Sequence, residues 1–524
     1  MKKIIILIII IVSVISYLSS NNFINNDNYF PLSYLFMLEY PDFYNSLSNF
    51  LPIINSSFFT DIVLYLGITP LSSTYAPISY IFYPIALLIG DTKGVLLFTL
   101  ILNIIINSAI LIKAYTHLKK TQNSIFIFLI LGFIFSIGNL IYVGSNMPYA
   151  YVFSSTILIA LMAIDENSKI SKDILFIILL YLLNYQILFL IPSYFLTKII
   201  ILKKSGRIPL IKDVLYSVLL FFIVLSSLLF FKKRAEITGT HKAVGINWNA
   251  GVNNEYSFDP TNSLISELFD FINYFPRSIV YHLNENLFEF EYFSLVFWLI
   301  FLFIISKMIL KKTISNYAIF CISSFIVLFG LVLIQKAVYG PTRHTLIFLP
   351  ISILLFTSYF NLTRTKKIIL ILLICILGTP NLLSIYKRKN NFFDKISTLH
   401  EIINKNPNSD ILLFSCTYQP FLDENFRDKI QNRRVYFFCG NKLQLINSKL
   451  KKKQNLLLID ATGQNEAVLT NELNKRLKIG EYKTDDFKIK ENLIRLDYNM
   501  EQKDYTQLPK QTGLFVWKTI NKFQ

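Results

Sequence analysis

The sequence predicts an α-helical polytopic membrane protein, with about eleven transmembrane helices, that carries a small C-terminal α/β soluble domain. Apolar residues make up 53% of the 524 residues and charged residues only 16%, whereas charged residues make up about 25% of typical soluble domains. The apolar residues come in blocks close to the roughly 20 residues that a helix needs to cross a bilayer. From residue 388 onward no block reaches that length, which predicts a water-soluble domain there.

About eleven apolar blocks divide residues 1–387. Met1-Lys2-Lys3 and the first block resemble a signal peptide, but the cleavage-site match after Leu18 is marginal, so we interpret this block as an uncleaved helix. The polar residues of Asn184-Tyr185-Gln186, inside the sixth block, are explained by hydrogen bonds between helices. The blocks lie at 4–18, 72–90, 95–113, 124–143, 149–164, 173–197, 212–231, 292–310, 317–335, 344–360 and 367–384.

The net charge of +18 comes mostly from lysines that flank apolar blocks. This placement favours retention on the cytoplasmic side of a membrane over nucleic-acid binding. With Lys2 inside, the loop at 203–207 also falls inside after six crossings. Lys119-Lys120 falls outside, which disagrees with the expected retention of positive charge on the cytoplasmic side. The resulting topology is a multi-pass protein of the cytoplasmic (inner) membrane whose long loops, 19–71 and 232–291, and C-terminal domain face outward.

The region 388–524 alternates short apolar runs with polar, helical-looking stretches. Asp410–Cys416, Arg434–Cys439 and Asn455–Asp460 predict buried strands, and alternation with helices indicates a parallel sheet. Cys416 and Cys439 either form a disulfide, if this region faces an oxidising compartment, or remain two separate buried thiols. No metal-ligand spacing occurs anywhere in the chain, so we expect neither a metal nor another cofactor.

The first outer loop, 19–71, concentrates carboxylates, amides and aromatic rings, including Asp27, Glu39 and Asp42. Sugar sites favour this mixture because aromatic faces stack on pyranose C–H surfaces while carboxylates and amides bind hydroxyls. An ordinary interfacial loop with an aromatic belt would have a similar composition. Both readings stay open from composition alone.

Two further segments carry candidate residues. Tyr75 and Tyr80, beside prolines at the start of the second block, either face a cavity or lie in the headgroup layer. Arg343 follows Gly340-Pro341 at the outer end of a block, where an arginine is costly unless it is paired or snorkels to the interface. Its planar guanidinium suits phosphate. The second loop also holds aromatic, amide and charged residues, Arg277 among them, too scattered to assign roles, and His117 and His282 are isolated histidines with expected structural roles.

Together these features resemble the GT-C superfamily of membrane glycosyltransferases. The similarity runs through most of the membrane region. It comprises a short first span followed by an acidic outer loop with Asp27, and Tyr75-Ala76-Pro77-Ile78-Ser79-Tyr80, similar to the family's Pro-Pro-Leu-Tyr segment. It also includes Gly340-Pro341-Thr342-Arg343-His344 before Pro350. Ala76 replaces a common proline, His344 a usual tyrosine, and Asp27-Asn28 the family's Asp-Glu pair.

The resemblance implies transfer of a sugar from a polyprenyl-phosphate donor to a glycan, lipid or protein acceptor at the outer membrane face. Asp27, or else Asp42, would act as general base, and Arg343 with Lys336 would bind the donor phosphate. A single displacement predicts inversion at the anomeric carbon. Further substrate contacts are expected from Tyr75, Tyr80, Glu39 and His344.

Three alternatives remain. An O-antigen-type polysaccharide polymerase or ligase would rely on arginines and a histidine in its outer loops. A non-enzymatic transporter of lipid-linked glycans would show internal repeats and mid-membrane charges, which are not visible here. A degenerate member could bind glycolipid without catalysis.

Overall fold

A computed structural model describes most of the helical region and five strands. It covers residues 2–20, 92–118, 123–144, 148–207, 210–237, 262–310, 315–333, 337, 339–341, 345–359, 364–387, 410–414, 435–437, 456–460, 493–496 and 515–519. The described residues fall into two compact units: all described helices belong to a helical unit, and the five described strands belong to a sheet unit.

The helical unit contains thirteen described α-helices. Three short 3-10 helices, Pro148–Tyr151, Tyr185–Leu190 and Glu285–Leu287, precede or follow them. In chain order the α-helices are α1 (Lys2–Ser20), α2 (Thr92–Thr116), α3 (Asn123–Phe135), α4 (Ile137–Tyr142), α5 (Val152–Ile164), α6 (Ile170–Leu183), α7 (Ile191–Lys204), α8 (Ile211–Ile237), α9 (Leu264–Leu283), α10 (Tyr292–Leu310), α11 (Asn316–Leu333), α12 (Phe348–Tyr359) and α13 (Arg364–Lys387).

Four helical segments of the described chain are long and apolar enough to cross a membrane: Leu97–Thr116, Gln186–Lys204, Asn316–Leu333 and Thr365–Ile385. Much of their surface is apolar and exposed, as at Ile105, Ile199 and Ile376. Side chains of this kind face lipid at low cost and water at high cost. The coarse prediction of a mostly helical protein with membrane-spanning helices is therefore confirmed. The predicted number of about eleven spans includes segments outside the described residues and stays a prediction.

The sixth apolar block, 173–197, is two helices rather than the single span that the sequence predicts. At Asn184 the backbone is extended (φ −154°), and its Oδ1 accepts a hydrogen bond from the Gln186 N–H, which ends α6. The chain then returns along α7, so that Arg207 donates to the carbonyl oxygen of Glu166 at 2.8 Å. A continuous helix would separate these residues by about 60 Å. The polar residues at 184–186 break the helix, a role that the sequence analysis did not give them.

The hairpin of α6 and α7 begins and ends at the same place. We call this place the basic end of the helical unit. Asp213 of α8 holds it together, because its carboxylate accepts from the Ser171 N–H at 3.0 Å and from the Leu210 N–H at 3.0 Å. The C-terminus of α2 lies there too, since Lys113 stacks on the Phe176 ring. Among the described residues, the cations at this end include Lys113, Lys169, Lys172, Lys198, Lys203, Lys204, Arg207 and Lys212.

The other end of the helical unit, which we call the Gly144 end, is defined by a close approach of α1. Gly144 donates its N–H to Ser16 Oγ at 2.7 Å. A Cβ at Gly144 would lie 2.3 Å from the Ser13 carbonyl oxygen and 2.4 Å from the Tyr17 nitrogen, so only glycine fits here. The remainder of α1 packs back along α4 and α2, which directs Lys2 towards the basic end.

The sheet unit contains five described strands in the order β2-β1-β3-β5-β4. β1 (Asp410–Phe414) pairs in parallel with β2 (Val435–Phe437) and β3 (Leu456–Asp460). These three lie within the segments that the sequence predicts as strands. β5 (Phe515–Thr519) is antiparallel to β3 and to β4 (Leu493–Leu496). The strands β4 and β5 were not predicted from the sequence. The connecting segments lie outside the described residues, so the α/β architecture of 388–524 stays a prediction.

Candidate functional site

The residues that the sequence singles out for catalysis and donor binding all lie outside the described part of the chain: Asp27, Glu39, Asp42, Tyr75, Tyr80, Lys336, Arg343 and His344. The structure does describe the segments that flank some of them. α1 ends at Ser20, before Asp27, and residues 339–341 and 345 lie on either side of Arg343.

Both flanking segments lie at the Gly144 end. Ser16, in the last turns of α1, is bonded to Gly144. Leu346, directly after Thr345, packs on Gly138 of α4, where an added Cβ would meet its side chain at 2.8 Å. Gly138 and Gly144 are only six residues apart, about 9 Å of helix. The last turns of α1 and Leu346 therefore lie at the same end of the helical unit.

A helix that the sequence analysis missed, α9, forms the centre of this end. Ser263 caps it by accepting from the Ser266 N–H at 3.1 Å. Pro276 lies inside it and has no N–H for the Ile272 carbonyl oxygen. That oxygen accepts instead from Trp298 Nε1 of α10 at 2.7 Å. The proline thus creates an acceptor that ties α9 to α10.

The last turns of α9 bind the 339–345 segment. Ser278 Oγ lies 2.7 Å from the Tyr339 carbonyl oxygen and 2.8 Å from that of Tyr274, and its one proton is shared between these two acceptors. Thr345 Oγ1 donates to the Gly340 carbonyl oxygen at 2.9 Å and lies 3.0 Å from His282 Nε2. Because the threonine proton goes to Gly340, His282 is the donor to Thr345. These bonds fix the loop that contains Arg343 at both of its described flanks.

Asn381 of α13 joins the same region to the core. Its Nδ2 donates to the carbonyl oxygens of Phe135, at 2.8 Å, and His282, at 3.2 Å. Its Oδ1 accepts from the Glu285 N–H at 3.0 Å. One buried amide therefore satisfies backbone groups of three elements, and α9 has a fixed position on the helical core.

Arg277 is the buried cation of this end. It is 4% exposed, and its guanidinium carbon lies 5.1 Å from the Tyr274 ring centroid and 4.8 Å from that of Phe288. Its Nε donates to the Phe288 carbonyl oxygen. The described residues provide no ion pair for it and no hydrogen-bond acceptor for its two terminal nitrogens.

The basic end contains a network of paired charges. Lys198 Nζ lies 3.5 Å from Asp173 Oδ2 and donates to the Asp165 carbonyl oxygen at 2.6 Å. Asp173 also accepts from Ser168 Oγ at 2.7 Å and Tyr194 Oη at 3.0 Å. Lys198 and Asp173 are both almost fully buried, and each therefore has the opposite charge and the hydrogen bonds that burial requires.

His117 and Asp165 form a second pair beside this network. His117 Nδ1 donates to Asp165 Oδ2 at 2.8 Å. Partial burial alone would raise the pKa of the Asp165 carboxyl, but hydrogen bonds from His117 and the Asn167 N–H, with the charge of Lys198, hold that pKa below its ordinary value. The buried His117 Nε2 has no partner among the described residues. The hydrogen bond to Asp165 fixes the orientation of the His117 imidazole. The sequence analysis interpreted His117 as an isolated histidine.

The sequence analysis did not identify the surroundings of several of these residues. Arg277 and His282 lie in a segment read as an outer loop, although Ser263 and the 3.6-residue spacing of Leu268, Phe271 and Phe275 indicate an amphipathic helix. The partners of His117 and Lys198 come from other helices, and only the fold brings them together.

Within the described ranges, no group of three or more His, Cys, Asp or Glu side chains could hold a metal ion. No family model, no curated protein and no solved structure matches the chain significantly.

Proposed function

We propose that the chain is a membrane glycosyltransferase that transfers a sugar from a polyprenyl-phosphate donor to a glycan, lipid or protein acceptor at the outer membrane face. The observation that supports this function is the arrangement of the Gly144 end. There, the helix that precedes Asp27 and the two flanks of Arg343 lie at one end of the same unit.

In the proposed reaction, Asp27 removes the proton from an acceptor hydroxyl as that oxygen attacks the anomeric carbon. The bond between this carbon and the phosphate oxygen breaks, and polyprenyl phosphate leaves with the electron pair. Arg343, assisted by Lys336, stabilises the charge that develops on the phosphate. Attack from the face opposite the leaving group inverts the anomeric configuration. Asp42 is the alternative base, and Glu39, Tyr75, Tyr80 and His344 would contact the substrates.

The proposed sidedness follows from the charges of the helical unit. The cations of the basic end favour the cytoplasmic side, and the Gly144 end then faces outward. The hairpin of α6 and α7 makes two passes and α2 ends at the basic end, so the described C-terminal ends of α2 and α7 lie on the same side, which we propose is cytoplasmic. In a variant without native cysteines, Ser205→Cys would be labelled by a membrane-impermeant maleimide only after permeabilisation. Glu289→Cys would be labelled in intact cells, and the reverse pattern would contradict this orientation.

The test of catalysis uses the full chain in proteoliposomes with synthetic isoprenyl-phosphate-linked sugars, and measures release of isoprenyl phosphate. We expect release by the wild type, and loss of at least about 100-fold in Asp27→Asn, because general-base catalysis contributes roughly this much. Asp61→Asn, in the same loop, is the matched control and should retain activity. Full activity of Asp27→Asn with loss in Asp42→Asn would transfer the base to Asp42, and no release by the wild type from any donor would refute the function.

Arg343→Ala should weaken donor use in the same assay, with a raised KM for the donor. An unchanged donor dependence would leave Arg343 as a residue that snorkels to lipid headgroups.

A further inference from the structure

Among the described residues, the guanidinium of Arg277 is a buried charge without an ion-pair partner. It lies between two aromatic rings, which contribute roughly 1–2 kcal/mol of cation–π energy in a desolvated site. Its Nε has an acceptor. The two terminal nitrogens carry four further N–H groups, for which the described residues provide no acceptor. Neither nitrogen is among the fully buried atoms that lack a partner, so both reach the surface of the described residues.

No described carboxylate forms an ion pair with Arg277. Glu267 and Asp270 of α9 and Glu289 of the turn that follows are not paired with it. Glu267 is engaged by Asn262 at 2.7 Å. A cation held between two rings, and without an anion among the described residues, has the properties of a site for an anionic ligand.

The surface of α9 indicates what kind of anion reaches this site. Ile265, Phe269 and Ile272 are exposed along one side of the helix, whereas Phe271 and Phe275 pack into the core. In a membrane protein an exposed apolar side of this kind contacts lipid chains. An anion with an apolar tail would satisfy both features, because its tail would follow the exposed side of α9 and its headgroup would reach Arg277.

We infer that Arg277 binds the phosphate of the isoprenoid-phosphate donor, with the donor's tail along the exposed apolar side of α9. This inference rests on the proposed function and adds a second phosphate-binding arginine to it. α9 also holds both flanks of the Arg343 segment through Ser278 and His282. The planar fork of Arg277 suits two phosphate oxygens at once, and the rings of Tyr274 and Phe288 keep it oriented before the donor arrives.

The test is binding of farnesyl phosphate to the full chain in nanodiscs, with farnesol as the tail-only probe. Wild type should bind farnesyl phosphate with an affinity that falls as salt rises. Arg277→Gln should weaken that affinity on the order of tenfold or more, the loss of a charge-assisted bidentate contact, and leave farnesol binding unchanged. Arg277→Lys should lose less, because it keeps the charge without the fork. Arg207→Gln, at the basic end, is the matched control and should bind as wild type does.

Unchanged farnesyl phosphate binding by Arg277→Gln would overturn the inference, as would an equal loss of farnesol binding, which would indicate a structural role. Equal competition by phosphatidylglycerol would also overturn it, in favour of bulk lipid headgroups. If Arg277→Gln does not fold, a photoreactive farnesyl phosphate must crosslink to residues 264–291 of the wild type, and crosslinking elsewhere refutes the site. Wild type that binds farnesyl phosphate through Arg277 but transfers no sugar would refute the proposed function alone.

Discussion

The buried charges at the two ends of the helical unit are compensated differently by the described residues. At the basic end, Lys198 and Asp173 are both buried and pair with each other, and serine, tyrosine and backbone groups complete their hydrogen bonds. At the Gly144 end, Arg277 is equally buried but has only aromatic rings and one carbonyl oxygen. The first arrangement is complete within the chain, and its role is structural. In the second, the described residues supply no anion, and we propose that the donor phosphate does.

The largest expected effect tests whether the basic end is structural. Lys198→Met leaves the buried Asp173 without its cation, and we expect the free energy of unfolding to fall by about 3–5 kcal/mol. The measurement is denaturant unfolding of the purified chain in detergent micelles. Lys203→Met, exposed on the same helix, should change stability by less than about 0.5 kcal/mol.

Adding Asp173→Leu to Lys198→Met should restore part of the loss, because the double variant removes both charges. Equal stabilities for Lys198→Met and Lys203→Met would show that the buried pair contributes nothing, and the contrast between the two ends would disappear.

A second prediction tests the close packing that defines the Gly144 end. Gly144→Ala places a Cβ against the backbone of α1, which cannot yield as a flexible side chain can, so we expect a loss of about 1–3 kcal/mol. Gly330→Ala, within α11, meets nothing within 4 Å and should be neutral or stabilise by about 0.5–1 kcal/mol. Thermal unfolding of both variants in the same detergent makes the comparison, and a neutral Gly144→Ala would refute the close approach of α1.

The smallest effect concerns Asp165, whose pKa is lowered in the folded state. A carboxyl with a depressed folded pKa stabilises the fold above its unfolded pKa, and this contribution is lost as pH falls through the folded value. Stability should therefore decline as pH drops below about 4, the ordinary range for Asp. Asp165→Asn should be less stable than wild type at neutral pH and show a shallower decline in acid.

Unfolding midpoints between pH 7 and about 3 provide the measurement for Asp165, with the exposed Glu166→Gln as control. Parallel pH profiles for wild type and Asp165→Asn would remove Asp165 from the network.

The sequence was sufficient for the features that depend on composition and length. Long apolar blocks locate helices of membrane-spanning length such as Asn316–Leu333, because a bilayer imposes its thickness directly on the sequence. The strands that begin at Asp410, Val435 and Leu456 also lie in predicted segments. Sequence patterns succeed where one local constraint decides the outcome.

Features set by tertiary contacts could not be predicted in the same way. The helix break at Asn184 depends on one side chain that caps the next turn. The average hydropathy of an apolar block does not reveal such a single residue. α9 is amphipathic rather than uniformly apolar, so a search for membrane blocks passed over it and left Arg277 in an apparent loop. The pairing of His117 with Asp165 joins residues 48 apart. The catalytic and donor-binding residues remain sequence predictions, since Asp27 and Arg343 lie outside the described residues.

The hairpin of α6 and α7 has a consequence for biosynthesis. At 14 residues, α6 measures about 21 Å, which is shorter than the roughly 30 Å of hydrocarbon in a bilayer. It is therefore a poor signal for insertion on its own, and the pair would enter the membrane together. In the proposed orientation, insertion as a pair keeps Lys203, Lys204 and Arg207 on the cytoplasmic side, so that none of these charges has to be translocated.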